Sequence, residues 1–339
     1  MTGRGDGPLL LRIPNWLGDL VLAMPVIEAA AAGPLIALGP EPFGELLEPR
    51  YPSLRYLPVS RGRRWAQAGA IRALRPSRAL LLTESLSSAI LAWLARVPVR
   101  VGYAAEGRSL FLTRAVPRAG PARSTARVHE YQVLAEAAGL AVGDATPRLA
   151  PTPSETDRAR ALLRESGLSE GTLFAVIAPG ASYGPTKQWG PERFATVAAS
   201  LDARGIRCVL VGASADRDVS DRLRRAADAP RHLVDLTGRT SLGELVGVLA
   251  ASTVVVSNDS GVMHVAAALG RPTVAIFGST SPVWTSADAP TVVNLYAAYP
   301  CSPCFRRTCP IGYGCLHAIA TEDVIEAAAR MVPRSSIRG

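Results

Sequence analysis

Short runs of apolar residues alternate along this chain with longer stretches in which apolar residues recur at helical spacing. In the first half, runs of strand length lie at 9–13, 35–38 and 79–82, and helical patterns lie at 19–32, 87–94 and 130–138. Pro25 falls inside the first helical stretch, where it either marks the true start of the helix or kinks it. Strands that alternate with helices in this way indicate an α/β chain.

The second half repeats the alternation more regularly. Strands are predicted at 174–178, 207–211, 233–236, 253–257 and 273–277, and helices at 191–203, 215–226, 241–251 and 262–269. Apolar strands joined by amphipathic helices form parallel sheets that are covered on both faces.

A proline-rich segment separates the two halves. Its prolines, after Ala150, predict irregular structure, and Ser154 could cap the helix that follows. We therefore expect two doubly wound, Rossmann-like domains, 1–152 and 153–339, which face a central cleft. The last helix could pack back on the first domain. In such sheets ligands bind at the carboxyl ends of the strands, so the loops after the strands are the candidate site.

Composition and charge narrow the class of protein. A chain of 339 residues, 48% hydrophobic and 19% charged, can bury a large core, so general disorder is excluded. No window has the ~18 apolar residues of a membrane span, and no signal-peptide pattern is present, so we expect a cytoplasmic protein. The formal net charge of +9 favours a polyanionic partner or reflects genome composition. Lys187 is the only lysine among 37 basic residues, which indicates that a compact ammonium is needed there.

Two loops that directly follow predicted strands carry candidate chemistry. Residues 15–19 (NWLGD) come after the first strand, where Gly18 permits a tight turn and Asp19 either faces the cleft or only caps the helix. Residues 179–189 (PGASYGPTKQW) follow the first strand of the second half. A glycine-rich loop with hydroxyls and one lysine suits a phosphate, although its spacing is not that of a P-loop. The alternative is an ordinary surface loop.

A third loop, residues 257–264 (SNDSGVMH), runs from a strand end into a helix. The helix N-terminus would offer N–H groups to a diphosphate, and Asp259 could accept hydrogen bonds from sugar hydroxyls. The alternative is a capped helix with His264 as a satisfied, semi-buried histidine. Residues 236–241 (LTGRTS) have the same form, with Ser241 as a credible cap. No nicotinamide-binding glycine fingerprint follows the first strand, and no serine-hydrolase elbow is present.

Four of the five cysteines crowd into one segment with the spacing C-x2-C-x4-C-x5-C, namely Cys301, Cys304, Cys309 and Cys315. Such a cluster in a cytosolic protein favours a metal over disulfides, but the last two intervals match no common zinc module. We therefore expect reduced thiols, with a zinc or iron–sulfur centre as the alternative. A separate group of arginines either binds carboxylates or phosphates or forms a solvated face: Arg61, Arg63 and Arg64.

In series, residues 15–19, 179–189, 257–264 and 304–315 resemble the ADP-heptose:lipopolysaccharide heptosyltransferases of glycosyltransferase family nine, most closely the heptosyltransferase II type. The resemblance implies the GT-B fold, with the acceptor bound by the first domain and the nucleotide-sugar by the second. It also implies an inverting, metal-independent transfer of heptose from ADP-heptose to the inner core of lipopolysaccharide, without a cofactor. By this analogy Asp19 is the general base and Lys187 neutralises the departing diphosphate.

The resemblance also distributes the binding residues. The donor site would comprise Gly180, Thr186, Lys187, Thr240, Asp259, Ser260, Gly261 and His264. The acceptor site would comprise Asn15, Trp16, Arg61, Arg63 and Arg64. The acceptor, a lipid A that bears Kdo or heptose, carries carboxylates and phosphates in an anionic leaflet. A basic enzyme at the inner face of the cytoplasmic membrane fits that charge.

Three positions depart from the family pattern. Gln188 stands where arginine or lysine is usual, Ser260 replaces threonine, and residues 83–85 (TES) replace an Asn-Ser on the acceptor side. Because of the change at residues 83–85, the resemblance does not fix the identity of the acceptor. Two alternatives therefore stand beside heptose transfer, namely a different sugar on the same fold and a non-catalytic two-domain binding protein. We expect no nucleic-acid partner, because no known module is present and the arginines are dispersed.

Overall fold

The computed structural model describes residues 7–60, 62–105, 107–121, 123–226, 229–230, 233–286 and 289–332. The chain divides into two compact units, Met1–Pro147 and Arg148–Gly339. This division falls a few residues before the boundary predicted at 152/153. None of the helices within the described ranges is long and apolar enough to cross a bilayer.

A parallel sheet forms the centre of the first unit. Its strands are β1 (Leu9–Arg12), β2 (Leu35–Gly39), β3 (Leu54–Pro58), β4 (Arg78–Leu81), β5 (Val99–Tyr103) and β6 (Arg114–Val116). Its helices are α1 (Leu17–Leu22), α2 (Met24–Ala31), α3 (Phe43–Leu47), α4 (Arg64–Ala73), α5 (Leu86–Leu94) and α6 (Arg127–Ala137). The strand order among the described residues is β3-β2-β1-β4-β5-β6. Every residue of β1 and β2 is buried, as expected for strands that helices cover on both faces.

The helix predicted at 19–32 is in fact two helices. α1 ends at Leu22 and α2 begins at Met24, with Ala23 as the boundary of both. Pro25 lies in the first turn of α2, where a missing N–H breaks no helical hydrogen bond. Of the two options for this proline, the position near a true helix start is therefore the observed one. The break leaves α1 as a short helix directly behind the carboxyl end of β1.

The second unit repeats the architecture. Its strands are β7 (Phe174–Ala178), β8 (Arg207–Leu210), β9 (Val234–Asp235), β10 (Val254–Asn258), β11 (Thr273–Phe277) and β12 (Val292–Tyr296). Its helices are α7 (Pro153–Glu165), α8 (Pro191–Asp202), α9 (Arg217–Arg225), α10 (Leu242–Ala251), α11 (Gly261–Ala268), α12 (Pro282–Thr285), α13 (Gly314–His317) and α14 (Thr321–Met331). The strand order is β12-β11-β10-β7-β8-β9 within the described ranges.

The start of the first helix of this unit differs from the sequence prediction, and the last helix packs within the unit. The proline-rich segment is not irregular throughout, because Pro153 begins α7, and Thr152 rather than Ser154 caps that helix in a reciprocal pair of hydrogen bonds with Glu155. The last helix, α14, packs on α8, and its Val324 is buried in the core of the second unit. It is therefore a core element of its own unit.

Each sheet has one point at which the strand order reverses. In the first unit it lies between β1 and β4, where Leu10 pairs with Ala79. In the second it lies between β7 and β10, where Val176 pairs with Val255. Such reversal points leave a crevice at the carboxyl ends of the strands, because the crossover helices diverge to opposite faces. The loop that carries Asp19 follows β1, and the other two candidate loops follow β7 and β10.

Candidate functional site

A buried ion pair lies at the carboxyl ends of β7 and β10. Lys187 ends a short 3-10 turn, and its Nζ lies 2.6 Å from Oδ2 of Asp259, the residue directly after β10. The Asp259 side chain is 2% exposed and the Lys187 side chain 12%. Thr280 donates a hydrogen bond to the same carboxylate oxygen at 2.5 Å, and Thr285 lies 3.4 Å from it. Each charge compensates the desolvation of the other, so the pair depends on both partners.

One side-chain amide joins the two ends of the loop that carries this lysine. Asn258, the last residue of β10, donates from Nδ2 to the Pro179 carbonyl at 2.7 Å. Its Oδ1 accepts the Trp189 N–H at 3.1 Å. Both bonds are buried, where a lost hydrogen bond is expensive. Sequence reasoning did not assign Asn258 a role, although its place at a strand end and the scarcity of asparagine in this chain were signals that could have found it.

The cysteine-rich segment braces the same loop through its backbone. Tyr183 donates from its hydroxyl to the Phe305 carbonyl at 2.5 Å, and Thr186 donates to the Arg306 carbonyl at 2.6 Å. Thr186 is buried, so its hydroxyl supports the loop. The ammonium of Lys187 lies 5.0 Å from the centre of the Tyr183 ring, at cation–π distance. The brace therefore fixes both the lysine and the ring beneath it.

Two further contacts hold the cysteine-rich segment close to the loop that carries Lys187. The Ser279 carbonyl accepts the N–H groups of Cys304 at 3.0 Å and Phe305 at 2.8 Å. Gly184 has φ +146°, and a Cβ at this position would lie 2.7 Å from the Arg307 carbonyl oxygen. Only glycine combines this backbone angle with so close an approach. Gly184 therefore permits the close contact between this loop and the cysteine-rich segment.

The four clustered cysteines do not form a metal-binding group in the described part of the chain, where no three His, Cys, Asp or Glu side chains are arranged to hold an ion. Cys309 accepts a hydrogen bond from the Tyr313 N–H at 3.3 Å. Backbone N–H groups, including that of Ile311, lower the pKa of its thiol. Burial raises the pKa of Cys315. What the segment contributes to the loop is carbonyl and N–H groups.

The N-terminus of α11 adjoins the buried ion pair. Ser260 is the N-cap residue and Gly261 the first helical residue, and the Ser260 hydroxyl lies 3.0 Å from that of Ser257. His264, one turn further on, has Nε2 at 4.0 Å from Asp259 Oδ1. Burial, helped by Lys187 and opposed by Asp259, lowers the pKa of His264 to about 4. The imidazole is therefore neutral at neutral pH.

The other two predicted donor residues lie on neighbouring loops. Gly180 follows β7, and a Cβ there would collide with the carboxylate of Asp216 in the loop after β8. Burial raises the pKa of Asp216. Thr240 lies in the turn after β9, directly before Ser241, which caps α10 as predicted. In the sheet order, Thr240 is thus two strands away from β7.

The first unit brings only part of the predicted acceptor set to the carboxyl end of β1. Asn15 is exposed, and its Oδ1 accepts a hydrogen bond from Arg12 at 2.6 Å. Trp16, 47% exposed, is the N-cap residue of α1. Arg63 and Arg64 are exposed at the start of α4, which follows β3, two strands from β1. The prediction for Arg61 falls outside the described residues.

Asp19, the third residue of α1, joins a set of charged side chains that the sequence did not reveal. Arg127 Nε lies 3.6 Å from Asp19 Oδ1, and its Nη1 lies 2.9 Å from Glu84 and 2.8 Å from Glu130. Arg118 binds the same two glutamates, at 2.6 Å from Glu84. These five residues are called the carboxylate–arginine cluster below. Asp19 is therefore a first-turn residue that belongs to this cluster, and the N-cap residue of α1 is Trp16.

A signal for this cluster was present in residues 83–85, which follow the carboxyl end of β4 and where the resemblance led us to expect an Asn-Ser. Glu84 is the middle residue of that segment, and its strand is the partner of β1 at the reversal point. Although burial raises the pKa of Glu84, hydrogen bonds from Arg118 and Arg127 bring it below its ordinary value. The glutamate is therefore ionised and balances both arginines.

Comparison with known proteins identifies the family. A profile of glycosyltransferase family 9 (heptosyltransferase) matches residues 64–313. The chain belongs to this family. Over 292 residues it is 30% identical to lipooligosaccharide heptosyltransferase 2 of Haemophilus influenzae, a match that covers 83% of this chain and 78% of that relative. It is 29% identical over 295 residues to lipopolysaccharide heptosyltransferase 2 of Escherichia coli, which covers 80% and 83% of the two chains.

A solved structure extends the likeness to the fold. The structure of Escherichia coli ADP-heptose lipopolysaccharide heptosyltransferase II matches this family 9 chain with a TM-score of 0.79 at 26% identity, over 96% of this chain and 98% of that one. The predicted α/β GT-B fold class is thereby confirmed, and the chain is a glycosyltransferase. The expected alternative of a non-catalytic binding protein is not supported by this membership.

Proposed function

We propose that this enzyme transfers heptose from ADP-heptose to the inner core of lipopolysaccharide, with inversion at the anomeric carbon and without a metal ion. The observation that carries the proposal is the buried pair of Lys187 and Asp259 beside the N-terminus of α11. The ammonium of the chain's single lysine, beside a helix N-terminus, offers positive charge to a diphosphate leaving group. The names of the relatives support heptose as the sugar and lipopolysaccharide as the acceptor.

Asp19 acts as the general base in this proposal. Its carboxylate accepts the proton of the acceptor hydroxyl as that oxygen forms a bond to the anomeric carbon, and the bond to the ADP oxygen breaks. Attack opposite the leaving group inverts the anomeric configuration. The side chain is 25% exposed, so an acceptor hydroxyl has access to it.

Lys187 and the first residues of α11 take the role that a divalent ion has in other transferases. The ammonium offsets the charge that develops on the departing ADP, and the Ser260 and Gly261 N–H groups hold the same phosphates. Asp259 orients the heptose hydroxyls while it keeps the lysine in place. Since no metal carries a step, turnover should persist in the presence of EDTA.

The acceptor proposal rests on charge. The chain has a formal net charge of +9, and a lipid A acceptor that bears Kdo or heptose offers carboxylates and phosphates at an anionic surface. We place the enzyme's work at the inner face of the cytoplasmic membrane. Asn15 and Trp16 lie beside Asp19, and Arg63 and Arg64 are exposed for a more distant part of the acceptor.

The decisive experiment offers ADP-heptose together with Kdo2–lipid A or its monoheptosylated form and follows the products by mass spectrometry. A gain of one heptose on the monoheptosylated acceptor indicates the heptosyltransferase II activity, and a gain on Kdo2–lipid A the heptosyltransferase I activity. No gain on either acceptor would contradict the proposal and would point to another sugar.

Three substitutions test the assigned roles. Asp19→Asn should lower kcat by about 10²–10⁴-fold, because it removes the base and little else, while ADP still binds.

Lys187→Ala should raise the Kd of ADP by about 10- to 100-fold, which corresponds to the loss of one charge-assisted contact. Lys187→Arg should recover only part of that loss, since a planar guanidinium does not replace a compact ammonium in a buried pair. Full activity of the arginine form would refute the argument for a required lysine.

A further inference from the structure

The carboxylate–arginine cluster contains more charge than a lone general base needs. Three carboxylates, from Asp19, Glu84 and Glu130, face two guanidinium groups, from Arg118 and Arg127. The cluster is assembled from α1, the loops that follow β4 and β6, and α6. Side chains from four separate parts of the unit thus form one charged network, which Arg127 connects to Asp19.

Arg127 is the member that links Asp19 to the rest. Its Nε lies 3.6 Å from Asp19 Oδ1, whereas its Nη1 lies 2.9 Å from Glu84 and 2.8 Å from Glu130. The guanidinium also donates from Nε to the Tyr131 hydroxyl at 3.1 Å and lies 4.9 Å from the centre of that ring. Held on several sides, Arg127 has little freedom to move, and it is only 13% exposed.

This arginine contacts three carboxylates. Nη1 of Arg127 lies within hydrogen-bond distance of both glutamates, and Nε lies at ion-pair distance from Asp19, so the three carboxylates share the positive charge. A carboxylate bound tightly by an uncompensated arginine is ionised but a poor base, because its affinity for a proton falls by roughly 1–3 pKa units. Without a nearby cation, the carboxylate of a general base is not held in one orientation.

We propose that Arg127 is a positioning residue for Asp19, and that Glu84 and Glu130 hold the arginine's charge back so that Asp19 remains basic. This inference rests on the proposed role of Asp19 as general base. It assigns Glu84 the task of tuning the base. Arg127 itself need not touch the substrate.

The charged and titratable groups around Asp19 make the proposal testable by pH. From α6 they are Arg127, Glu130 and Tyr131, from the loop after β4 Glu84, from the loop after β6 Arg118, and from β5 Tyr103, over whose ring Arg118 lies at 4.6 Å. Loss of the Arg127 charge raises the proton affinity of Asp19, and loss of the Glu84 charge lowers it.

The test is the acidic limb of the kcat–pH profile in three variants. Arg127→Gln should move this limb to higher pH, and Glu84→Gln should move it to lower pH, each by about 0.5–1 unit. Both should lower kcat at neutral pH by about tenfold, with the KM for ADP-heptose unchanged. Arg127→Lys, which keeps the charge but loses the fork, should leave the limb near its wild-type position and recover part of kcat.

Arg114→Gln is the matched control, because it removes an exposed arginine at the opposite end of β6 and should leave the limb in place. Circular dichroism and urea denaturation report whether the first unit of each variant is folded. Limbs that do not move, that move in the same direction, or a rise confined to the acceptor KM would overturn the positioning role of Arg127. Turnover by Asp19→Asn at the wild-type rate would overturn the base assignment itself, and the positioning role with it.

Discussion

The buried pair of the second unit and the carboxylate–arginine cluster of the first unit both hold charges at the carboxyl ends of parallel strands, but they balance those charges differently. Lys187 faces Asp259 in a nearly closed environment, where hydroxyls rather than further charges complete the carboxylate's contacts. Arg127 is shared among several carboxylates whose side chains are up to a third exposed. The Lys187 ammonium depends on a single carboxylate, whereas the Arg127 charge is balanced by three carboxylates.

The two cations are about equally buried, but the carboxylates differ, because Asp259 is 2% exposed whereas Asp19 and Glu84 are 25% and 32% exposed. A charge in a dry site needs a close counter-charge, and its loss leaves the partner uncompensated at high cost. A charge near solvent is screened and can exchange partners at low cost. A fixed pair suits the repeated binding of one anionic leaving group, whereas a shared network suits a base whose proton affinity must remain tuned.

The largest expected effect is on the stability of the second unit. Asp259→Leu leaves the Lys187 ammonium buried without its partner, so the free energy of unfolding should fall by about 3–5 kcal/mol. The double variant Lys187→Met with Asp259→Leu should recover most of that loss, because it removes both charges. Urea denaturation without ADP measures each value.

The matched change in the first unit sharpens the contrast. Glu84→Gln should cost about 1 kcal/mol or less, because Arg118 and Arg127 both keep Glu130 as a partner. A double variant in the second unit that is no more stable than Asp259→Leu alone would show that the buried pair is not coupled. An equal cost for Glu84→Gln would remove the distinction between a fixed pair and a shared network.

The next effect is a dependence of the free energy of unfolding on pH that comes from His264, beside the buried pair. The pKa of His264 is lowered to about 4 by burial, with Lys187 acting in the same direction and Asp259 against it. The unfolded histidine takes up a proton near pH 6.5 while the folded one stays neutral, so stability falls as the pH drops from 6.5 towards 4. Between pH 7 and pH 4.5 this contribution should reach roughly 2–3 kcal/mol.

Comparison of His264→Gln with the wild type isolates that contribution from the other titrating groups. The variant should lose less stability than the wild type over this range, as measured by thermal or urea unfolding. His317→Gln, at an exposed site, is the control and should follow the wild-type curve. Identical curves for wild type and His264→Gln would show that the imidazole is not held neutral.

The strongly periodic elements could be predicted from sequence, and the weakly patterned ones could not. The runs that became β7, β10 and β11 are apolar throughout because helices cover both faces, and their positions were predicted nearly to the residue. The strands β3, β5, β6 and β12 were not predicted, and in β3 and β12 exposed positions such as Arg55 and Asn294 interrupt the apolar pattern.

Some residues of the candidate site could also be selected from the sequence, and others could not. Lys187 and Asp259 lie in loops whose glycines and strand-end position are visible in the sequence, so the sequence alone is enough to select them. It is not enough to select the partners of Asp19, because Glu84 and Arg127 are 43 positions apart and meet only through the sheet order. Local sequence shows which residues could carry chemistry, but the partners of a charge depend on long-range topology.

The smallest expected effect concerns the brace that the cysteine-rich segment provides. Tyr183→Phe removes the hydrogen bond to the Phe305 carbonyl, so ADP binding should weaken by only a few-fold, in line with about 1 kcal/mol for one such bond. Cys304→Ser and Cys309→Ser should leave the Kd of ADP unchanged, because in the described residues the segment supports the loop through backbone groups. Calorimetry with ADP gives the affinities, and elemental analysis of untagged protein gives the metal content. Loss of a bound metal together with loss of folding in the serine variants would instead make the sulfur atoms the structural element, and the backbone brace a consequence of it.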